Sequence, residues 1–469
     1  MREAPERALA PPDDPGATTA PRRVSFGEAT RVWAYIGLAS FGGPAAQIAL
    51  MHRELVERRR WISEPRFMHA LSYCMLLPGP EAQQLAIYIG WLMHRTRGGL
   101  VAGILFVLPG FFTVLALSAL YAAFREVPQV AALFFGLKAA ILAVVVEAVI
   151  RIGKRALPTR ALYAAAAAAF LALYLFHVPF PLIVAGAALA GLVGATRWPG
   201  AFTRPPGATV GEAGSYVVDD LLRRGELEHT RPSLRRALVV LVVSLGLWAA
   251  PPAALALALG RDHVLVQESV FFGEAAVVTF GGAYAVLAFV AQRAVETYGW
   301  LRPGEMIDGL GLAETTPGPL ILVVEFVGFM GAYRSPGGWP PVVSGVAGAL
   351  VTVWSTFVPC FLWIFVGAPW VEALRASRAL HAALTVVMAA VVGVILNLSV
   401  WFFLHAAFAR TEERHAGPLT VTLPAWGTVD VAMVALAAGA MVALVRFRVG
   451  MGKTLAVSAL LGAAWRLWS

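Results

Sequence analysis

Long apolar runs alternate with short polar connections along this chain. Thirteen runs have the length and composition of membrane segments. They are Trp33–Met51, His69–Met93, Leu100–Ala123, Gln129–Ile150, Ala161–Phe176, Pro179–Thr196, Ala237–Leu259, Val264–Ala291, Ile307–Tyr333, Pro340–Val366, Ala379–Leu404, Thr428–Val445 and Thr454–Leu467. Runs of this length predict helices, because a helix satisfies its own backbone in hydrocarbon. Four of them are interrupted by helix breakers. Gly42-Gly43-Pro44 breaks the first, Pro78-Gly79-Pro80 the second, Gly281-Gly282 the eighth and Pro317-Gly318-Pro319 the ninth.

The breaks are two copies of one pattern. Phe41-Gly42-Gly43, Trp61 and Pro78-Gly79-Pro80 all recur 239 residues later, as Phe280-Gly281-Gly282, Trp300 and Pro317-Gly318-Pro319. Weaker echoes follow at drifting offsets: "FVLPGF" (106–111) with "FVPCF" (357–361), and "LKAA" (137–140) with "LHAA" (380–383). The organisation expected is a polar tail (1–24), a first repeat (25–196), a polar linker (197–236), an unpaired helix (237–259) and a second repeat (260–469).

Charge adds sidedness. If every run spanned the bilayer, the basic "ERRR" (57–60) would face outward, against the tendency of Lys and Arg to stay inside. Re-entrant hairpins at the four broken runs put 28 of the 37 Lys/Arg inside and 8 outside, with Lys138 within a run. This predicts an all-α polytopic membrane protein of about nine full spans and four re-entrant hairpins, in two repeats of inverted topology; thirteen plain spans are the alternative. Broken elements in inverted repeats are a sequence signature of secondary transporters, with substrate near the midplane.

Composition agrees: 59% hydrophobic, only 14% charged, mean hydropathy +0.71. The net charge of +9 is then read as basic cytoplasmic loops, with the bilayer as partner and no nucleic acid. Cys74 and Cys360 are too few for a disulfide framework. No P-loop, HExxH or GxSxG motif is present, so no cofactor, metal site or enzymatic activity is expected.

Broken helices expose amides and the positive end of a helix dipole, which together can hold an anion. Free amides are expected at Gly79, Glu81 and Ala82, and the Gly42-Gly43-Pro44 break follows the same logic; a kinked, packed helix is the plain alternative. Lys138 either neutralises the anion or snorkels from a helix end. His381 is its counterpart, or an ordinary interfacial histidine. Glu81 either couples protons or caps its turn, with Glu147, Glu274, Glu314 and Glu325 as weaker candidates. Gln47, Gln83, Gln84, Thr279, Thr315 and Thr316 could donate to an oxyanion or bond between helices.

The stretches "SFGGPAAQIALMHRELVERRRWI" (40–62), "LLPGPEAQQLAIYIGW" (76–91), "TRGGLVAGILFVLPG" (96–110), "TFGGAYAVLAFV" (279–290), "GLAETTPGPLILVVEFVGF" (311–329) and "FVPCFLWIFVGAPW" (357–370) resemble the chromate ion transporter family in its long, two-domain form. The resemblance covers about Ser25 to Phe403. It implies a multi-pass protein of the inner (plasma) membrane that exports chromate and confers chromate resistance, driven by the proton motive force or by anion exchange. Sulfate, of the same shape and charge as chromate, or another oxyanion is the alternative cargo, and a channel the alternative mechanism. A homodimer is compatible with this reading.

Overall fold

The computed structural model describes residues 23–197, 216–280, 283–370, 378–416 and 419–468. Gly281 and Gly282 lie outside the described residues. Helices dominate, as the apolar runs require. The addition is a two-stranded antiparallel hairpin, β1 (Thr411–Ala416) with β2 (Leu419–Pro424), in a stretch the apolar pattern leaves as a connection.

Each broken run is a helix, a break and a second helix. In the first half α1 (Phe26–Ala39) leads to α2 (Gly43–His52), and α3 (Glu64–Cys74) leads to α4 (Glu81–Phe124). At 1.5 Å per residue α1 is roughly 21 Å long and α2 roughly 15 Å, short of a hydrocarbon layer of about 30 Å. The 44 residues of α4 are not one rod. His94 and Arg95 leave helical geometry, Arg95 with φ +56°, and divide α4 into a short arm (81–93) and a long arm (96–124).

α5 (Pro128–Ala156), α6 (Arg160–Phe176) and α7 (Phe180–Arg197) complete the first half, and the linker holds α8 (Val217–Arg223). α9 (Leu234–Leu259) is apolar all round and buries none of its residues, which suits a helix facing lipid. Trp248 Nε1 of α9 donates to Ser355 O at 3.0 Å, and Trp354 Nε1 donates back to Leu247 O at 3.1 Å.

The second half repeats the broken pairs as α10 (Val264–Val278) with α11 (Ala283–Gln292), and α12 (Glu305–Thr315) with α13 (Val323–Arg334). α14 (Pro341–Gly367), α15 (Arg378–Ala407), α16 (Val431–Val445) and α17 (Met451–Trp468) follow. Among the described residues six helices are long and apolar enough to cross a membrane: α4, α5, α7, α9, α14 with its short extension to Trp370, and α15.

The repeat seen in sequence recurs in backbone detail. α2 and α11 both run on into π-helical turns, Arg53–Arg58 and Arg293–Thr297. Arg59 N donates to Glu54 O, and 239 residues on Tyr298 N donates to Arg293 O. Ile62 N to Leu55 O is matched in the same way by Leu301 N to Ala294 O.

The ends of the first-half pairs collect on one face, against the linker. Arg23 pairs with Glu226, and Arg66 Nε reaches Asp219 Oδ1 at 2.8 Å. Val218 N donates to Trp61 O, and His229 Nε2 lies 3.0 Å from Trp91 O. The second-half pairs collect elsewhere, against the far end of α4. There Glu305 pairs with Arg125 and, bidentately at 2.7 and 2.8 Å, with Arg334, while Arg334 also donates to Trp300 O.

Candidate functional site

The geometry starts from the glycines. Gly42 and Gly43 take φ of +88° and +75°, Gly79 +117° and Gly318 +95°, a region that Cβ-bearing residues rarely enter. Pro44, Pro80 and Pro319 then restart the chain as helix, where a missing N–H leaves no unmet bond.

The breaks meet crosswise. Gly79 N donates to Thr279 O at 2.8 Å, and Gly318 N donates to Ser40 O at 2.8 Å. Adding 239 to 79 gives 318, and to 40 gives 279, so the two bonds are one contact made twice in exchange. Such reciprocity is what a two-fold relation between similar surfaces produces. The surroundings obey it too. Gly110, after the helix-internal Pro109 of α4, lies against Gly318, and Cys360, after Pro359 of α14, lies against Gly79. A Cβ on Gly79 would stand 3.0 Å from Cys360 Sγ, and one on Gly318 would stand 3.2 Å from Gly110 Cα.

This arrangement corrects one expectation. The Gly79 amide is not free, because it is committed to Thr279. The first-turn amides of Glu81 and Ala82 still lack carbonyls within their own helix. The predicted donors are also engaged locally. Gln47 Nε2 donates to Gly318 O at 2.6 Å, and Gln84 Nε2 to Pro78 O at 2.7 Å. Thr279, Thr315 and Thr316 give their hydroxyl protons to carbonyls of their own helices. These side chains brace the crossing. Gln83 is buried with its Oε1 unpartnered among the described residues.

Lys138 and His381 are not brought to the breaks. Lys138 Nζ pairs with Asp308 Oδ2 at 3.2 Å, and Tyr121 donates to the same oxygen at 2.8 Å. Asp308 precedes Thr316 on α12 by eight residues, a rise of about 12 Å. His381 opens α15 beside α7, where Gly191 packs on Ala382 and Ala383. Glu81 begins α4 half-buried, and Glu274 is exposed on α10.

A cavity of about 570 Å³ opens onto the first break. Its walls include Gly42, Gly43 and Pro44, with Glu147, Arg151 and Lys154 from the end of α5, Arg448 from the α16–α17 turn, and Tyr284 and Glu314 from the second half. Tyr284 donates to Glu314, and Glu147 lies 3.6 Å from Arg151 on the next turn of α5. Three cations thus surround a break whose glycines leave the backbone bare. In the sequence Arg151, Lys154 and Arg448 belong to "RIGKR" (151–155) and "RFRVGMGK" (446–453), two basic stretches among the 28 inside Lys/Arg. Their meeting at Gly42–Pro44 is tertiary and leaves no mark on the sequence.

Apolar helices bare toward the outside and backbone broken and paired at the centre define a multi-pass membrane protein. The chain belongs to the chromate transporter family: the family model matches residues 27–192 and again 266–464. It is therefore a transporter and not an enzyme. It is 34% identical over 401 residues to a chromate transport protein of Pseudomonas aeruginosa, covering 84% of this chain and 86% of that one. It is 29% identical over 364 residues to a chromate transport protein of Cupriavidus metallidurans, covering 77% and 78%. A probable chromate transport protein of Synechococcus elongatus is 27% identical over 346 residues, covering 74% and 76%. No solved structure matches the chain.

Proposed function

We propose that this protein moves chromate from the cytoplasm outward across the plasma membrane and so confers chromate resistance. The observation that carries the reading is the cavity at Gly42–Pro44 with Arg151, Lys154 and Arg448 in its walls. A dianion entering a low-dielectric site needs several compensating dipoles or cations, and this cavity supplies both.

Sidedness supports the outward direction. α5 leads away from the Arg125 end, and its last turns carry Arg151 and Lys154 to the cavity. In this reading the face where the linker, the 53–66 turn and residues 94–97 collect is cytoplasmic, because it holds the excess of Lys and Arg, and the cavity is reached from that side. In this reading the broken pairs are re-entrant hairpins. The long arm of α4 with α5, α6, α7, α9, α14, α15, α16 and α17 would supply nine spans. The opposite placement of the two hairpin loops, one at the linker and one at Arg125, supports inverted repeats.

The membrane potential favours this direction. Each 100 mV is worth about 2.3 kcal/mol per charge, so about 4.6 kcal/mol for a dianion leaving a negative interior. The test is chromate uptake into inside-out vesicles with an imposed interior-positive potential. Uptake that rises with the potential and is inhibited by sulfate is expected. No uptake, or uptake indifferent to any gradient or counter-anion, would reject coupled export.

A further inference from the structure

One face of α14 carries a row of polar side chains that the anion cavity does not use. Ser344, Thr352, Ser355 and Thr356 are buried, and their hydroxyl oxygens have no hydrogen-bond partner among the described residues. Two carboxyls lie along the same row. Glu268 of α10 sits in the groove between Gly331 of α13 and Gly348 of α14. A Cβ on either glycine would stand 2.7 or 2.8 Å from one of its oxygens. Glu325 of α13 lies one turn before Gly328, which packs on Thr352. Both carboxyls are fully buried and neither makes an ion pair among the described residues; Glu325 has no hydrogen-bond partner there, and the polar neighbour of Glu268 is the Ala332 amide.

Polar residues that only glue helices together bond across the interface; the four hydroxyls and Glu325 do not. Ionised, two carboxylates without cations would be very unfavourable here, whereas carboxylic acids are tolerated. Among the described residues neither carboxyl has an ion-pair partner, and the basic residues of the other helices packed here lie at a kink or an end: His94, Arg95 and Arg97 at the kink of α4, Arg235 and Arg236 in the first turn of α9. α14 has no charged residue. The other charged residues of α10 and α13 are Glu274, which is exposed, and Arg334, which is paired with Glu305. The row has a direction. Ser344 lies near the end of α14 that follows Arg334, and Cys360 lies beside Gly79 at the crossed breaks. From Ser344 to Cys360 the helix rises about 24 Å, most of a hydrocarbon layer of about 30 Å.

We propose that Glu268, Thr352 and Glu325, with Ser344, Ser355 and Thr356, form a proton path from the outer face to the crossed breaks. This rests on the transport reading and supplies its coupling: a proton travels inward as the anion leaves. In each step one O–H bond breaks at the donor carboxyl or hydroxyl as another forms at the next oxygen. No electron moves; the innermost group gives its proton to water on the cytoplasmic side of the breaks, and the carboxylate left behind is reprotonated from outside. The first repeat has Ala29 and Ala86 where the second has Glu268 and Glu325, so the path belongs to one half only.

The test uses the full chain in proteoliposomes with two readouts. The infrared carbonyl band of protonated carboxylic acids reports the carboxyls without any substrate. Chromate counterflow is then compared with chromate transport driven by a pH gradient. Glu268→Gln and Glu325→Gln should each weaken the band, leave counterflow intact and reduce the pH-driven component by more than about tenfold. Thr352→Val should keep the band and slow only that component. An unchanged band, or pH-driven transport surviving in both glutamine variants, would overturn the path. Absence of counterflow in the unaltered protein would refute the transport reading instead, and the infrared band would still decide whether the carboxyls are protonated.

Discussion

Gly79→Ala is the sharpest probe of the crossing. At φ +117° an L-residue is strained, by about 1–3 kcal/mol for a sparsely populated region. The new Cβ would also sit 2.9 Å from Gln84 Nε2 and 3.0 Å from Cys360 Sγ, and overpacking of this kind adds about 1–3 kcal/mol. The sum is about 2–6 kcal/mol. Gly318→Ala meets Leu322 Cδ1 at 3.0 Å and Gly110 Cα at 3.2 Å with φ +95°, and should lose a similar amount. Gly43→Ala is the control. Its φ of +75° is also left-handed, but nothing lies within 4 Å of the new Cβ, so only about 1–2 kcal/mol is expected. Denaturant titration of the purified protein in detergent, followed by tryptophan fluorescence, would rank the three. Gly43→Ala as damaging as Gly79→Ala, or Gly79→Ala and Gly318→Ala far apart, would refute the reciprocal contact.

Removing Lys138 tests whether it holds Asp308 or the anion. Lys138→Met should lower stability by about 2–3 kcal/mol, less than for a fully buried pair, because Lys138 keeps 26% exposure. Adding Asp308→Asn should restore most of the loss, and the apparent KM for chromate should stay unchanged in both; a raised KM would return Lys138 to the anion site. For sidedness, single cysteines at Arg59 and Arg302, both exposed, should react with an impermeant maleimide from the cytoplasm and from outside respectively. Labelling of both from one side would reject the inverted arrangement.

The breaks were legible because their chemistry is local. Positive φ at Gly42, Gly43, Gly79 and Gly318 favours glycine, and a helix restart favours proline, so the motif and its copy 239 residues on carry their own geometry. The arginines recorded which loops share a face, and the contacts of Arg23, Arg66 and the 53–62 turn with the linker agree. Pairings across the chain left no such mark. Gly79 bonding to Thr279 closes 200 residues of chain, and neither residue type announces the other. Lys138 read as a lone lysine in a span, because Asp308 lies in a run that looked merely apolar. The kink at His94–Arg95 joins two runs into one helix. The β1–β2 hairpin was hidden in a short polar stretch whose alternation, as in "LTVTLP", spans few residues.

The central claim is that an oxyanion sits among Arg151, Lys154 and Arg448 at the Gly42–Pro44 break. The most direct measurement is equilibrium binding of chromate to the purified protein and to a variant carrying Arg151→Gln, Lys154→Gln and Arg448→Gln. At about 0.5–1 kcal/mol per partly exposed cation, the three together should weaken binding by about tenfold or more while the unfolding profile is unchanged. Undiminished chromate binding by the folded triple variant would contradict the account.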